Sequence, residues 1–289
     1  MAAAVSGCAG DPFDGIARPH PADRSPEKPD AAKVAALVRV ADATAAAGDL
    51  ASATAMYRRA YEADPLNAEV MQRLGETLLH LGEHDEAARV FRKAAANGPN
   101  AEALRGLARA LIGLDQPRAA ISQLEAALEI AESVNAYNAM GVAYDLLGDH
   151  GAAQAFYRTG LDVDAANAVL QNNLGLSLAV SGRHEEAISV LRRSARSPGA
   201  TARQRLNLAL AYGLAGEMSA AAETARIDLD ERSVEQNLAF YATLRALRDS
   251  RETIRAIGAH NAAFGGAAYR GAPRERAAAD GTVGVAGRH

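Results

Sequence analysis

Small and apolar positions recur along residues 34–247 at a period much longer than one helical turn. Aligning the turn glycines places Gly48 and Gly82, Gly148 and Gly182, and Gly182 and Gly216 each 34 residues apart, with Asp115 in the corresponding place between Gly82 and Gly148. Five residues after each turn stands an alanine: Ala53, Ala87, Ala120, Ala153, Ala187 and Ala221. Seven residues before each turn stands another small residue, in order Ala41, Gly75, Ala108, Gly141, Gly175 and Ala209. A third small position, Ala60, Ala94, Ala127 and Gly160, changes to Ser194 and Asp228 in the last two units. A small residue in the first helix is expected to face a small residue in the second, so that the two backbones approach, while larger ones such as Leu74, Leu78, Phe91, Leu174, Leu178 and Leu191 fill the space around them.

This spacing predicts six helix–turn–helix units. The pairs run over 34–47 with 50–63, 68–81 with 84–97, 101–113 with 117–131, 134–147 with 150–163, 168–181 with 184–196, and 202–215 with 218–230. A further helix over 233–247 carries Leu238, Tyr241, Leu244 and Leu247 at three-residue steps. It can therefore cover the open apolar end of the sixth unit as a cap.

Composition supports packed helices. Hydrophobic residues make up 49% of the 289, much of it Ala, while aromatics are only 4% and Trp is absent. A β-rich or α/β core is correspondingly disfavoured. The formal net charge of -4 supplies no general field that would draw the chain to nucleic acid or to an anionic surface. No apolar run is long enough to span a bilayer, and the single cysteine, Cys8, cannot form an internal disulfide.

The flanks differ in texture. Residues 9–33 read as a flexible tether, since five of the ten prolines, Pro12, Pro19, Pro21, Pro26 and Pro29, lie between Cys8 and Asp30. Beyond residue 247 the chain, 248–289, is rich in Gly, Ala and Arg without sustained period. It reads as a disordered tail after one last helical stretch.

A 34-residue helix–turn–helix unit with these small positions resembles the tetratricopeptide repeat over about residues 34–247. The resemblance implies an all-α, right-handed superhelical solenoid of about six repeats with a C-terminal capping helix. It also implies that the second, fifth, ninth, twelfth and thirteenth positions of each inner helix face a concave groove. In repeats two and three those positions hold Glu69, Gln72, Glu76, His80, Glu102, Arg105 and Arg109. In repeats four to six they offer an apolar strip edged by amides. Leu176, Val180, Leu210 and Leu214 form the strip, and Asn138 and Asn172 are placed to pair a ligand backbone. Such a groove suits an amphipathic helix or an extended apolar peptide. Two alternatives stand beside it: the tail or last helix folds back into the groove, or the leucines pack between repeats. Chaperone-binding members of the family grip a C-terminal carboxylate, but Asn173, Arg203 and Asn207 match that clamp only in part and no Lys joins them.

No catalytic constellation is expected. His84, His150 and His184 share one register position, two residues after the turn, so adjacent repeats hold them on the order of 10 Å apart, too far for common metal ligation. They read as polar-edged aromatic fillers. The sequence also has no Gly-rich phosphate loop and no nucleophile elbow. The expectation is a protein without enzyme activity, cofactor, metal or small-molecule substrate.

Val5-Ser6-Gly7-Cys8 resembles the bacterial lipobox, in which an apolar residue and two small ones precede a cysteine that is lipidated. The apolar stretch before it is short and no basic residue precedes it, so residues 1–8 are read as the remnant of a lipoprotein signal peptide. Chance occurrence in an Ala/Gly-rich chain is the other reading. The segment RQRLNLALAYGLAGE, followed by ARIDLDERSVEQNLAFYATLRAL, extends the likeness. Its Asn207, Tyr212, Gly216, Arg226, Asp228, Asn237 and Tyr241, taken with lipobox and tether, resemble the tetratricopeptide-repeat lipoproteins of tight-adherence (Flp) pilus assembly. That resemblance implies a non-enzymatic scaffold, anchored by lipid to the outer membrane and facing the periplasm. Its partner would be a secretin or another pilus-assembly protein, with no nucleic acid and no other membrane contact. A generic tetratricopeptide adaptor of periplasm or cytoplasm with an unrelated partner is the alternative.

Overall fold

The computed structural model describes residues 31–257 apart from 198 and 248, so the lipobox with Cys8, most of the tether and tail residues 258–289 lie outside the described residues. Helices follow one another without a strand among the described residues. The inner helices are α1 (Ala31–Ala46), α3 (Ala68–Leu81), α5 (Ala101–Gly113), α7 (Val134–Leu147), α9 (Ala168–Val180) and α11 (Ala202–Ala215). Their outer partners are α2 (Leu50–Ala63), α4 (His84–Ala96), α6 (Pro117–Ile130), α8 (His150–Val163), α10 (His184–Ala195) and α12 (Met218–Ala225). Helix α13 (Glu231–Ala246) covers the end, and α14 follows over 250–257. This is the all-helical tetratricopeptide solenoid expected from the repeat.

Local signals set the boundaries. Asn67, Asn100 and Asn167 accept the backbone N–H three residues on, capping α3, α5 and α9, and Asp49, Asp149 and Asp230 do the same for α2, α8 and α13. At the turn between paired helices the backbone enters the left-handed region, with φ of 89° at Gly48, 77° at Gly82 and 90° at Gly216. A side chain there meets steric cost, which is why glycine recurs. Asp115 occupies the same turn at φ 56°, the one non-glycine residue with positive φ among the described residues. The aspartate tolerates this conformation better than most.

Each helix packs on the next in sequence, and inner helices also touch the inner helix of the following repeat: α3 on α5, α5 on α7, α7 on α9 and α9 on α11. Outer helices make no comparable contact with one another. The inner set therefore lines the tighter, concave side. All six register alanines after the turns are fully buried.

The partner of the inner-helix small position differs from the simple expectation of small residue against small residue. An added Cβ at Gly75 would fall 2.4 Å from Phe91, at Gly141 2.3 Å from Tyr157, and at Gly175 2.4 Å from Leu191. Each glycine is a seat for a large side chain sixteen residues later on the outer helix. Phe91 also covers Gly106 of the next repeat, so one ring joins three helices. Burying such side chains contributes about 1.5–3 kcal/mol each relative to exposure.

Repeat six departs from the pattern. Helix α12 ends at Ala225, short of the expected residue 230. Asp228 stands where earlier repeats place Ala or Gly, and its carboxylate accepts two hydrogen bonds from Arg205 of α11 at 2.7 and 2.5 Å. A half-buried charge needs that partner, and satisfying it turns the chain away from the helix axis. Asp230 then caps α13, whose Tyr241 covers Gly213.

Candidate functional site

The groove divides as its sequence does. Its first half is a cleft of about 590 Å³ lined by residues that include Glu76, Glu102, Arg105, Arg109, Asn135 and Asn138. Its charges are largely paired with each other: Arg109 donates to Glu76 at 2.6 Å, and Arg105 donates to Ser133 at 3.0 Å while lying 3.6 Å from Glu102. A neighbouring cleft of about 860 Å³ carries Asp42, Tyr57, Glu69, Arg73 and His80. Desolvation and a hydrogen bond to Asp42 hold the Tyr57 phenol above its ordinary pKa, so it stays protonated.

In the second half the side chains expected to form an open strip have unequal exposure. Leu176 and Val180 are half-buried and line a cavity of about 140 Å³ between α7 and α9. Leu210 and Leu214, 5% and 8% exposed, belong to the core of repeats four to six. They are floor, not surface. The amides are partly engaged as well. Asn207 donates to Asn172 at 2.5 Å, Asn172 to Asn173 at 3.4 Å, and Asn173 to Asn138 at 2.8 Å, a chain of amides crossing α11, α9 and α7. Asn172 is 6% exposed with both ends of its amide occupied, so it does not present itself to a ligand backbone. Asn138 is half-buried and lines the adjoining charged cleft.

Beneath the cavity lies a polar cluster that sequence reasoning passed over. Asp145, 8% exposed, accepts from His150 Nδ1 at 2.7 Å, from Ser177 Oγ at 2.7 Å and from Tyr157 OH at 2.9 Å. One carboxylate thus fastens α7, α8 and α9. The repeat register contained the signal: three residues before the turn the other repeats place Ala45, Leu79, Ile112, Ala179 and Gly213, and only the fourth places an acid. Acceptance by Asp145 assigns the His150 proton to Nδ1, and Nε2 is buried without a partner. Burial, reinforced by the Asp145 charge, pushes the Tyr157 phenol well above its ordinary pKa. Ser177 and His150 bond the same carboxylate oxygen and not each other, so this is not a nucleophile–base pair. His84 packs its ring on Gly113 of the next repeat. No cluster of three or more metal-ligating side chains occurs among the described residues, and no helix among them is long and apolar enough to cross a membrane.

Tetratricopeptide-repeat models match residues 45–102, 134–167 and 168–193. The chain belongs to the tetratricopeptide-repeat family. A Sinorhizobium fredii relative described as uncharacterized protein y4yS is 35% identical over 126 residues, covering 43% of this chain and 67% of the relative. Among solved structures, a tetratricopeptide repeat protein from Parabacteroides merdae aligns at TM-score 0.63 and 15% identity, over 74% of this chain and 86% of its own. PilW, described as a widely conserved type IV pilus biogenesis factor, aligns at TM-score 0.59 and 20% identity, over 66% of this chain and 90% of its own. At these identities the likeness is one of fold. Tetratricopeptide-repeat domains mediate protein–protein contact, and the chain has the fold of such a protein-binding scaffold.

Proposed function

We propose that this tetratricopeptide-repeat protein is a lipid-anchored, periplasm-facing scaffold of the outer membrane that assists tight-adherence (Flp) pilus assembly. It would resemble TadD and act toward a secretin as a pilotin does. The observation that carries the reading is Val5-Ser6-Gly7-Cys8, placed directly before a Pro-rich stretch that could hold the solenoid away from a bilayer. The closing segment supports it. Its Asn207, Arg226, Asp228 and Tyr241 are among the residues of the pilus-lipoprotein resemblance; Arg226 and Tyr241 tie repeat six to its cap, Asp228 pairs with Arg205 of α11, and Asn207 bonds back to Asn172 of repeat five. PilW, a pilus biogenesis factor by description, shares the fold, which makes the architecture compatible with this role without arguing for it. In this reading the groove around Leu176, Val180 and Asn138 receives an apolar or amphipathic segment of the secretin, with Leu210 and Leu214 beneath.

The test is acylation and its consequence. Expressed from its native gene, the protein should label with palmitate and fractionate with outer membranes, and Cys8→Ser should abolish both, because stable attachment needs two or more lipid anchors. Membrane fractionation unchanged by Cys8→Ser overturns the lipoprotein reading. Deleting the gene should deplete outer-membrane secretin multimers, and unaltered multimers would overturn the pilotin role.

A further inference from the structure

Helix α14 lies over the second half of the groove. Its Ile254 and Ile257 complete the lining of the cavity formed by Val142, Leu146, Leu176 and Val180, and Ile257 and Thr253 are buried, at 8% and 6% exposure. An adjoining side of α14 faces the ends of the neighbouring repeats. Arg251 lays its stem over the turn at Gly148, within 3.1 Å of where a Cβ would stand, and Arg255 reaches Asp115 at 3.3 Å. A second cavity, bounded by Pro117, Leu147, Asp249 and Glu252, remains alongside.

This seat has the character of a bound ligand more than of a repeat. Helix α14, described over 250–257, begins three residues after Leu247 and contributes two isoleucines to the groove. Its Ile257 is buried and its Ile254 completes the cavity lining, so its order derives from the groove. Its ion pair with Asp115 is more than half exposed on both sides, and exposed pairs add little. Cavities on both flanks mean the contact is loosely filled. The side chains beneath are those that would meet a foreign ligand.

We propose that α14 is an internal occupant of the groove, and that the partner which displaces it is an amphipathic helix of the same pattern: two aliphatic residues three apart, like Ile254 and Ile257, flanked by arginine that can meet Asp115. The inference deepens the reading of the groove as the partner site, and adds that partner binding requires release of the chain's own helix. A tether this short places α14 at millimolar effective concentration, so an external helix of equal intrinsic affinity competes at a large disadvantage until α14 is released.

The experiment uses the full chain and a fluorescent peptide with the sequence of residues 247–260. Ile254→Glu plus Ile257→Glu should release α14, raise peptide affinity at least tenfold over wild type, and remove the hydrogen-exchange protection of amides 250–257. Adding Leu176→Glu to that pair should abolish peptide binding, with circular dichroism confirming retained helix. A peptide carrying the same two glutamates should not bind. Equal peptide affinity for wild type and the released variant overturns the proposal, as does wild-type exchange of amides 250–257 at the rate of an unfolded chain. Concentration-dependent dimers abolished by the isoleucine changes would put α14 in a second copy's groove and overturn the internal contact. These outcomes are independent of Cys8, so loss of the lipoprotein reading leaves them standing.

Discussion

One substitution, glycine to alanine, should change stability in opposite directions at different sites of this solenoid, and Gly141 is the severe case. In Gly141→Ala the new Cβ falls 2.3 Å from Cε1 of Tyr157 and 2.6 Å from Cδ1 and Cζ. Carbon atoms rest at about 3.5–4.0 Å, so the ring must withdraw by roughly 1.2 Å or more. It has little room, being 1% exposed and bonded through its hydroxyl to Asp145 at 2.9 Å. Alanine gains about 1 kcal/mol over glycine in helix propensity, overpacking costs about 1–3, and breaking a hydrogen bond to a buried carboxylate costs about 1.5–3. With that bond lost, the net destabilisation is roughly 1.5–5 kcal/mol. Gly151 is the opposite case: it is exposed in the first turn of α8, with nothing nearer than Asp149 Oδ1 at 3.6 Å, so alanine there should stabilise by up to about 1 kcal/mol. Gly182 separates backbone from packing. Nothing lies within 4 Å of its absent Cβ, yet its φ is 83°, and alanine should cost about 1–2 kcal/mol through backbone strain alone. Urea unfolding followed by far-ultraviolet circular dichroism ranks the three, read as midpoint shifts because a repeat array need not unfold in two states. A Gly141→Ala protein as stable as Gly151→Ala would refute the seating of Tyr157 on α7.

Four further outcomes are expected. Asp115→Gly should hold or raise the thermal midpoint, since glycine enters the left-handed turn without cost, while loosening α14 by removing the partner of Arg255, read as faster exchange of amides 250–257. Acid should destabilise the protein below about pH 4. The Arg58 hydrogen bond lowers the Glu86 pKa and backbone capping bonds lower those of Asp49 and Asp230, so their contribution is present above the unfolded values and lost as pH falls through the folded ones; Glu86→Gln should flatten the melting profile there. Alkali should destabilise it above about pH 10, because the raised pKa of buried Tyr157 keeps the folded phenol neutral while the unfolded one ionises; Tyr157→Phe should reduce that loss. Ala153→Leu, at a fully buried crossing, should cost about 1–3 kcal/mol in chemical denaturation.

Charging the groove requires choosing residues by their exposure. Leu176→Glu, half-buried beside the cavity, is the variant that reports on binding, whereas Leu210→Glu would place an unpaired charge in the core of repeat six and unfold it.

The sequence by itself determined what depends on neighbours along the chain. Turn positions were legible because a left-handed backbone selects Gly48, Gly82 and Gly216, and helix starts because Asn67, Asn100 and Asn167 cap their own helices three residues on. The 34-residue register then followed, and with it the face of each inner helix. Residues distant in sequence decided the rest. Register alone put Leu176 and Leu210 on one surface, but the end of the solenoid receives α13 against α11, and Leu210 is buried in that core, while Leu176 lines the cavity under α14 and stays half-exposed. Asp145 is an ordinary acid until Ser177, thirty-two residues later, arrives to share its carboxylate with His150 and Tyr157. Arg255 meets Asp115 across 140 residues of chain. Periodicity reports which side of a helix is apolar; what covers that side is fixed only when the whole solenoid has folded, because burial is a property of surfaces brought together and not of the segments that carry them.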